Sequence, residues 1–119
     1  SGTLYMPSKA ATTPLLDIQS NIDLARTFVG TMPFEQFKVD RRTVYAVVRC
    51  LEIVSEAVRR LPEDLKLRHP SIPWVNIAGA GNVYRHDYED VADEIIWQTV
   101  SHGLEQLSAM VKIELGRLD

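Results

Sequence analysis

Apolar residues recur at three- and four-residue spacing through most of the chain, the pattern of helices that each turn one face to a core. Leu15, Ile18, Ile22, Ala25 and Val29 predict a first helix over about 15–29, with Gly30 where a helix would stop. The stretch "TMPFEQFKVD" is polar except for Met32, Phe34 and Phe37, and Pro33 suits the first turn of a short helix. It reads as a lid on the core. Asp40 is a good N-cap for the clearest element, in which Val44, Val47, Val48, Leu51, Val54, Val58 and Leu61 draw one continuous stripe. That stripe predicts a long helix over about 41–61.

"PEDLKLRHP" carries its acidic residues early and its basic residues late, as a short helix would, before Pro70 ends it. A helix over about 73–85 follows, with Trp74, Ile77, Ala78 and Val83 as its inward set. Ile96, Val100, Leu104, Leu107, Val111, Leu115 and Leu118 mark a last helix over about 90–117, entered through the acidic "YEDVADE". No stretch alternates long enough for a half-buried strand. The expected fold class is an all-α up-and-down helical bundle.

Size and charge narrow this further. At 119 residues the chain suits a single core. Ser1 and Gly2 read as an expression scar, residues 1–14 as a tag remnant and flexible N-terminus, and residues 15–119 as one helical domain. With 45% hydrophobic and 24% charged residues the composition is that of an ordinary globular protein, and no apolar run has the length of a membrane span. A net charge of −3 supplies no global basic field, so any nucleic-acid contact must use a local patch. The single cysteine, Cys50, permits neither an internal disulfide nor a cysteine-based metal cage, and a cytoplasmic setting is expected.

The candidate chemistry lies in "AGNVYRHDYEDV", residues 80–91. On a helix Asn82 and His86 would share a face, an amide and an imidazole one turn apart, and Tyr84 and Tyr88 would form a second such pair. A histidine at a helix C-terminus is favoured in its charged form, which suits proton transfer near neutral pH. Arg85 beside it could hold an anion such as phosphate. The plainer reading makes His86 a helix cap, Tyr88 a core or interface aromatic and Arg85 a solvated side chain. Gly79 and Gly81 each cost roughly 1 kcal/mol against alanine inside a helix, which points either to close approach of another helix or to local bending. His69 reads as a loop residue and His102 as a solvated or interface side chain. Lys38, Arg41, Arg42 and Arg49 form a basic cluster that could bind phosphate or simply face water. No phosphate-binding glycine loop, nucleophile elbow or metal-ligand histidine spacing is present.

The succession from "MPFEQFKVDRRTVYAVVRCLEIVSEAVRRLP" through "PSIPW" and "HDY" to "IIWQTV" closely resembles the HepT-like toxins of the HEPN superfamily, over roughly residues 15–113. These are the ribonuclease halves of HepT and MNT toxin–antitoxin pairs. The resemblance implies a small helical homodimer that cleaves RNA in a cleft between subunits, with no cofactor and no metal. It implies proton transfer by His86 as the RNA 2′-hydroxyl attacks the adjacent phosphate. It also implies that Tyr88 receives AMP groups from an MNT-type nucleotidyltransferase antitoxin.

The family motif is an arginine, four intervening residues, a histidine, one residue and a tyrosine. His86 and Tyr88 match; the arginine position is Gly81. Arg85 lies one helical turn beyond it and could reach back over the space that glycine leaves, because helical side chains lean toward the N-terminus. Two readings follow. Either Arg85 supplies the displaced guanidinium to a catalytic set of His86, Arg85 and Asn82, or the chain is a catalytically degenerate helical binding subunit that partners the transferase.

Overall fold

The computed structural model describes residues 6–86 and 92–118. Ser1 and Gly2 lie outside the described residues. In order the elements are α1 (Met6–Val29), α2 (Phe34–Phe37), α3 (Arg41–Arg59), α4 (Glu63–Leu67), α5 (Trp74–His86), α6 (Asp93–Gln98), a π-helical turn (Thr99–Gly103) and α7 (Glu105–Arg117). The described residues form helices and connections only, so the fold is all-α. No helix among them is long and apolar enough to cross a membrane.

The stripe on α3 is the centre of the core. Val44, Val47, Leu51, Val54 and Val58 are all buried, and α3 packs against α1 on one side and α5 on the other. Each such side chain contributes about 1.5–3 kcal/mol when fully removed from water. Asp40 caps the helix as its sequence position suggests, accepting from the Thr43 backbone N–H at 3.1 Å. That backbone hydrogen bond, with a second from the Thr43 hydroxyl, holds the Asp40 carboxyl below the usual carboxylate range. Gly30 ends α1 in the left-handed region at φ 55°, where a side chain would be strained.

Three elements differ from the sequence expectation. Helix α1 begins at Met6, well before Leu15, and contains Pro14. The apolar spacing continues backward through buried Ala11, so packing against the core sustains the extra turns. The last long helix is two, α6 and α7, joined by the wider π turn. Its buried residues Ile96, Val100 and Leu104 follow one another at four-residue steps, which overshoot the 3.6-residue period. A turn with i→i+5 bonding absorbs that overshoot and keeps all three inward. Third, Val83 does not join the inward set of α5. It is 42% exposed, and Tyr84 packs inward against the core in its place.

The "TMPFEQFKVD" segment is the lid its pattern suggests. Phe37 is fully buried, Phe34 stacks at a tilt on Trp97, and the Trp97 indole N–H donates to the Met32 carbonyl at 3.0 Å. An ion pair between Arg41 and Asp93 at 2.8 Å joins the starts of α3 and α6. A second polar tie is deeper. Glu114 on α7 is 2% exposed and receives the Arg68 guanidinium at 2.7 Å and His69 Nε2 at 2.6 Å. His69 is a loop residue as expected, but one that joins this tie and so anchors the approach to α5 to α7.

Candidate active site

The site candidates sit on α5, and α3 positions α5. The two helices run antiparallel: Arg59 Nε donates to the Ala78 carbonyl at 2.9 Å, Ser55 meets α5 at residues 77–81, and Leu51 lines a cavity of about 100 Å³ together with Tyr84. Ser55 is the closest of these contacts. Its buried hydroxyl accepts from the Gly81 backbone N–H at 2.9 Å and donates toward the carbonyls of Ile77 and Ala78 at 2.8 and 2.9 Å.

This contact explains Gly81. A Cβ on residue 81 would stand 2.6 Å from Ser55 Oγ and 3.0 Å from Ser55 Cβ, closer than real side chains approach. The second helix that approaches here is α3 of the same chain. Gly79 is different: a Cβ there would meet nothing within 4 Å.

One turn on from Gly81, Arg85 is exposed, and its Nη2 lies 3.8 Å from where the Gly81 Cβ would be. The side chain does lean back along the helix, as its χ preferences favour. The same guanidinium borders an open groove of about 350 Å³ shared with Arg49, Glu52, Ile53, Glu56 and Arg60 of the α3 side. Asn82 is exposed on the outer side of α5. Tyr84 turns inward, where burial pushes its phenol above the usual tyrosine range against a smaller opposing effect of its hydrogen bond with Thr99.

His86 is the last residue of α5, and its side chain lies outside the described residues, as does the whole of Tyr88. Among the described site residues, the structure brings Gly81, Asn82 and Arg85 onto neighbouring turns of one helix. Of the basic cluster, Arg41 is engaged with Asp93, Lys38 with Glu35 at 2.7 Å, and Arg49 reaches Glu52 only at 3.4 Å. Sequence reasoning missed Ser55, Glu52 and Glu56. The "SEAVRR" stretch of α3 carries no motif of its own, and only the antiparallel pairing with α5 reveals that Ser55 and Gly81 meet.

A helical domain with an arginine, an asparagine and a terminal histidine on one helix, beside a groove bordered by charged side chains, fits a class of small all-α nucleases. The family model "Ribonuclease HepT-like" matches residues 18–113, so the chain belongs to the HepT-like ribonuclease family. It is 38% identical over 93 residues to "Probable ribonuclease HepT" of Thermococcus cleftensis, covering 78% of this chain and 84% of that protein. It is likewise 38% identical over 95 residues to "Putative RNase MJ0127" of Methanocaldococcus jannaschii, covering 80% of this chain and 78% of that one. No solved structure matches.

Proposed function

We propose that this protein is a metal-independent endoribonuclease, the toxin of a HepT/MNT-type toxin–antitoxin pair, acting in the cytoplasm as a homodimer with its active site in the cleft between subunits. Family membership supports the ribonuclease part. The observation that carries the rest of the site is the Arg85 guanidinium beside the Gly81 backbone, 3.8 Å from the point where a side chain at 81 would begin.

The chemistry asked of such a site is modest. The RNA 2′-hydroxyl attacks the adjacent phosphorus, losing its proton while the 5′-oxygen of the next nucleotide leaves and gains one. The products are a 2′,3′-cyclic phosphate and a 5′-hydroxyl. The nucleophile is supplied by the substrate, so the protein needs a proton-transfer group and a cation for the extra charge on the phosphate oxygens. His86 fills the first role. Arg85 fills the second, with its planar fork suited to two phosphate oxygens. Asn82, one turn before His86, presents an amide that can orient a phosphate oxygen or the ribose. In this reading Tyr88 is where an MNT-type nucleotidyltransferase attaches AMP, placing negative charge at the mouth of the cleft and repelling RNA.

One observation favours the second reading, a degenerate subunit that binds the transferase without cutting RNA. The Ser55 hydroxyl stands 2.6 Å from where the first atom of any side chain at 81 would be, too close for one, so an internal contact excludes a side chain from the motif position. The deciding experiment is RNA cleavage by the purified, unmodified protein without its antitoxin and with chelator present. It is run beside His86→Ala and the paired Ser55→Gly/Gly81→Arg variant. Cleavage by the parent that His86→Ala abolishes supports the ribonuclease. A silent parent beside an active paired variant supports the degenerate subunit.

A further inference from the structure

The groove beside Arg85 contains a second guanidinium that the catalytic reading leaves unused. Arg49 comes from α3 and Arg85 from α5, and both border the same open space of about 350 Å³, with Ile53 contributing an apolar wall. The antiparallel pairing of the helices sets their order. Ser55 stands opposite residues 77–81, so continuing toward the end of α5 brings its last turn level with Arg49. Arg85 leans back toward Gly81 while Arg49 bends forward along α3 to Glu52; because the helices run antiparallel, the two heads lean the same way, one from each helix bordering the groove.

The states of the groove's charges differ. Arg60 is turned to Asp17 at 2.8 Å. Arg49 is 69% exposed, and its one ion pair among the described residues is the 3.4 Å contact with Glu52. At 3.4 Å, with the arginine exposed and the Glu52 side chain 17% exposed, the contact is a loose one that a better acceptor can displace. A phosphate accepts both arms of a guanidinium and carries its charge on more than one oxygen, which makes it that better acceptor.

We propose that Arg49 and Arg85 form a two-point clamp for successive phosphates of a single RNA strand, with Glu52 as the counterion that Arg49 gives up when the strand binds. This rests on the ribonuclease reading for the identity of the polyanion. Arg85 holds the phosphate at the reacting position, and Arg49 holds a neighbouring one, fixing the strand's direction across the end of α5. Ile53, in the same groove lining, offers a surface for ribose or base. Arg49 is thus a positioning and binding residue, distinct from the groups that act on the reacting phosphate.

The test measures binding of a 2′-O-methyl oligoribonucleotide, which cannot undergo 2′-hydroxyl attack, to the purified protein across a salt series. Cleavage of the unmodified oligonucleotide is followed in parallel. Arg49→Gln is expected to weaken binding about tenfold and to reduce the slope of log K against log salt by about 0.7, the value for one lost phosphate contact on a single strand. It should raise KM with little change in kcat. Glu52→Gln should tighten binding by freeing Arg49, a response that a merely structural arginine would not produce.

Parent-like affinity and salt slope in Arg49→Gln overturn the clamp. So does inorganic phosphate displacing the oligonucleotide at the same concentration that displaces a mononucleotide and with no dependence on strand length, which would mark a single-anion pocket. The two readings separate cleanly. His86-dependent cleavage with an unaltered KM in Arg49→Gln removes the clamp and leaves the ribonuclease. Arg49-dependent binding with no cleavage by the parent keeps the clamp and removes the ribonuclease. Absence of oligonucleotide binding by the parent removes the clamp whatever the cleavage assay shows.

Discussion

Ser55 and Gly81 hold α3 and α5 together through one shared hydrogen bond, the Gly81 N–H donating to Ser55 Oγ at 2.9 Å, in a space that leaves no room for a Cβ on residue 81. The consequence is a coupled pair of positions. A side chain at 81 requires Ser55 to move its hydroxyl away from the Gly81 N–H and from the carbonyls of Ile77 and Ala78.

The two glycines of α5 should therefore respond oppositely to alanine. Gly79→Ala adds a methyl group to open space and gains about 1 kcal/mol of helix propensity. Gly81→Ala makes the same gain but overpacks the seam at a cost of about 1–3 kcal/mol, for a net loss. Urea denaturation at equal protein concentration should show Gly79→Ala with a higher midpoint than the parent and Gly81→Ala with a lower one. Ser55→Gly should relieve the second effect, with a coupling energy on the order of 1 kcal/mol in the double-mutant cycle.

Arg85→Ala tests the guanidinium directly. In the proposed role Arg85 stabilises charge on the reacting phosphate, so its removal should lower kcat about 100-fold while leaving thermal stability near that of the parent, because Arg85 is exposed. Single-turnover cleavage measures this without interference from product release. Unchanged cleavage removes Arg85 from the mechanism.

Glu114 makes stability depend on pH. Its burial, the largest single influence, pushes the carboxyl up, but the Arg68 hydrogen bond, the His69 hydrogen bond and the charges of Arg68 and Arg117 outweigh it, and the net direction is down. A carboxylate held below its unfolded value of about 4.3 stabilises the fold above that pH, and the contribution is lost as pH falls through the lower folded value. Glu114→Gln should cost about 1.5–3 kcal/mol at neutral pH, since it removes the charge-assisted hydrogen bonds of Arg68 and His69 while Arg68, 38% exposed, keeps water and Asp64 as partners. Its stability should also fall less steeply than the parent's on acidification. Parallel slopes from pH 6 to pH 3 would contradict this.

Cys50 should be a silent thiol in the folded protein. It is 4% exposed, and burial raises its pKa against the smaller opposing effect of Arg49. The nucleophilic thiolate is therefore scarce at neutral pH as well as inaccessible. Labelling by an aromatic disulfide reagent should be slow in buffer, fast in denaturant, and accelerated in proportion to any destabilisation by Gly81→Ala.

Much of this protein was determined locally. The α3 stripe from Val44 to Val58, the Asp40 cap, the Gly30 stop and the Phe37 lid each follow from the spacing of a few neighbours, because helix period and capping are short-range properties. The placement of Asn82, Arg85 and His86 on one helix was legible for the same reason, and the family was legible in the order of segments. Tertiary structure decided what faces what. Val83 and Tyr84 are adjacent and both apolar enough to turn inward, and only the position of α3 and the π turn selects Tyr84. The π turn itself reconciles a four-residue spacing with a core on one side. Ser55 with Gly81, Glu114 with Arg68 and His69, and Arg49 with Arg85 are contacts or shared surfaces between distant residues. Their pairing depends on the register of packed helices, which no local period encodes.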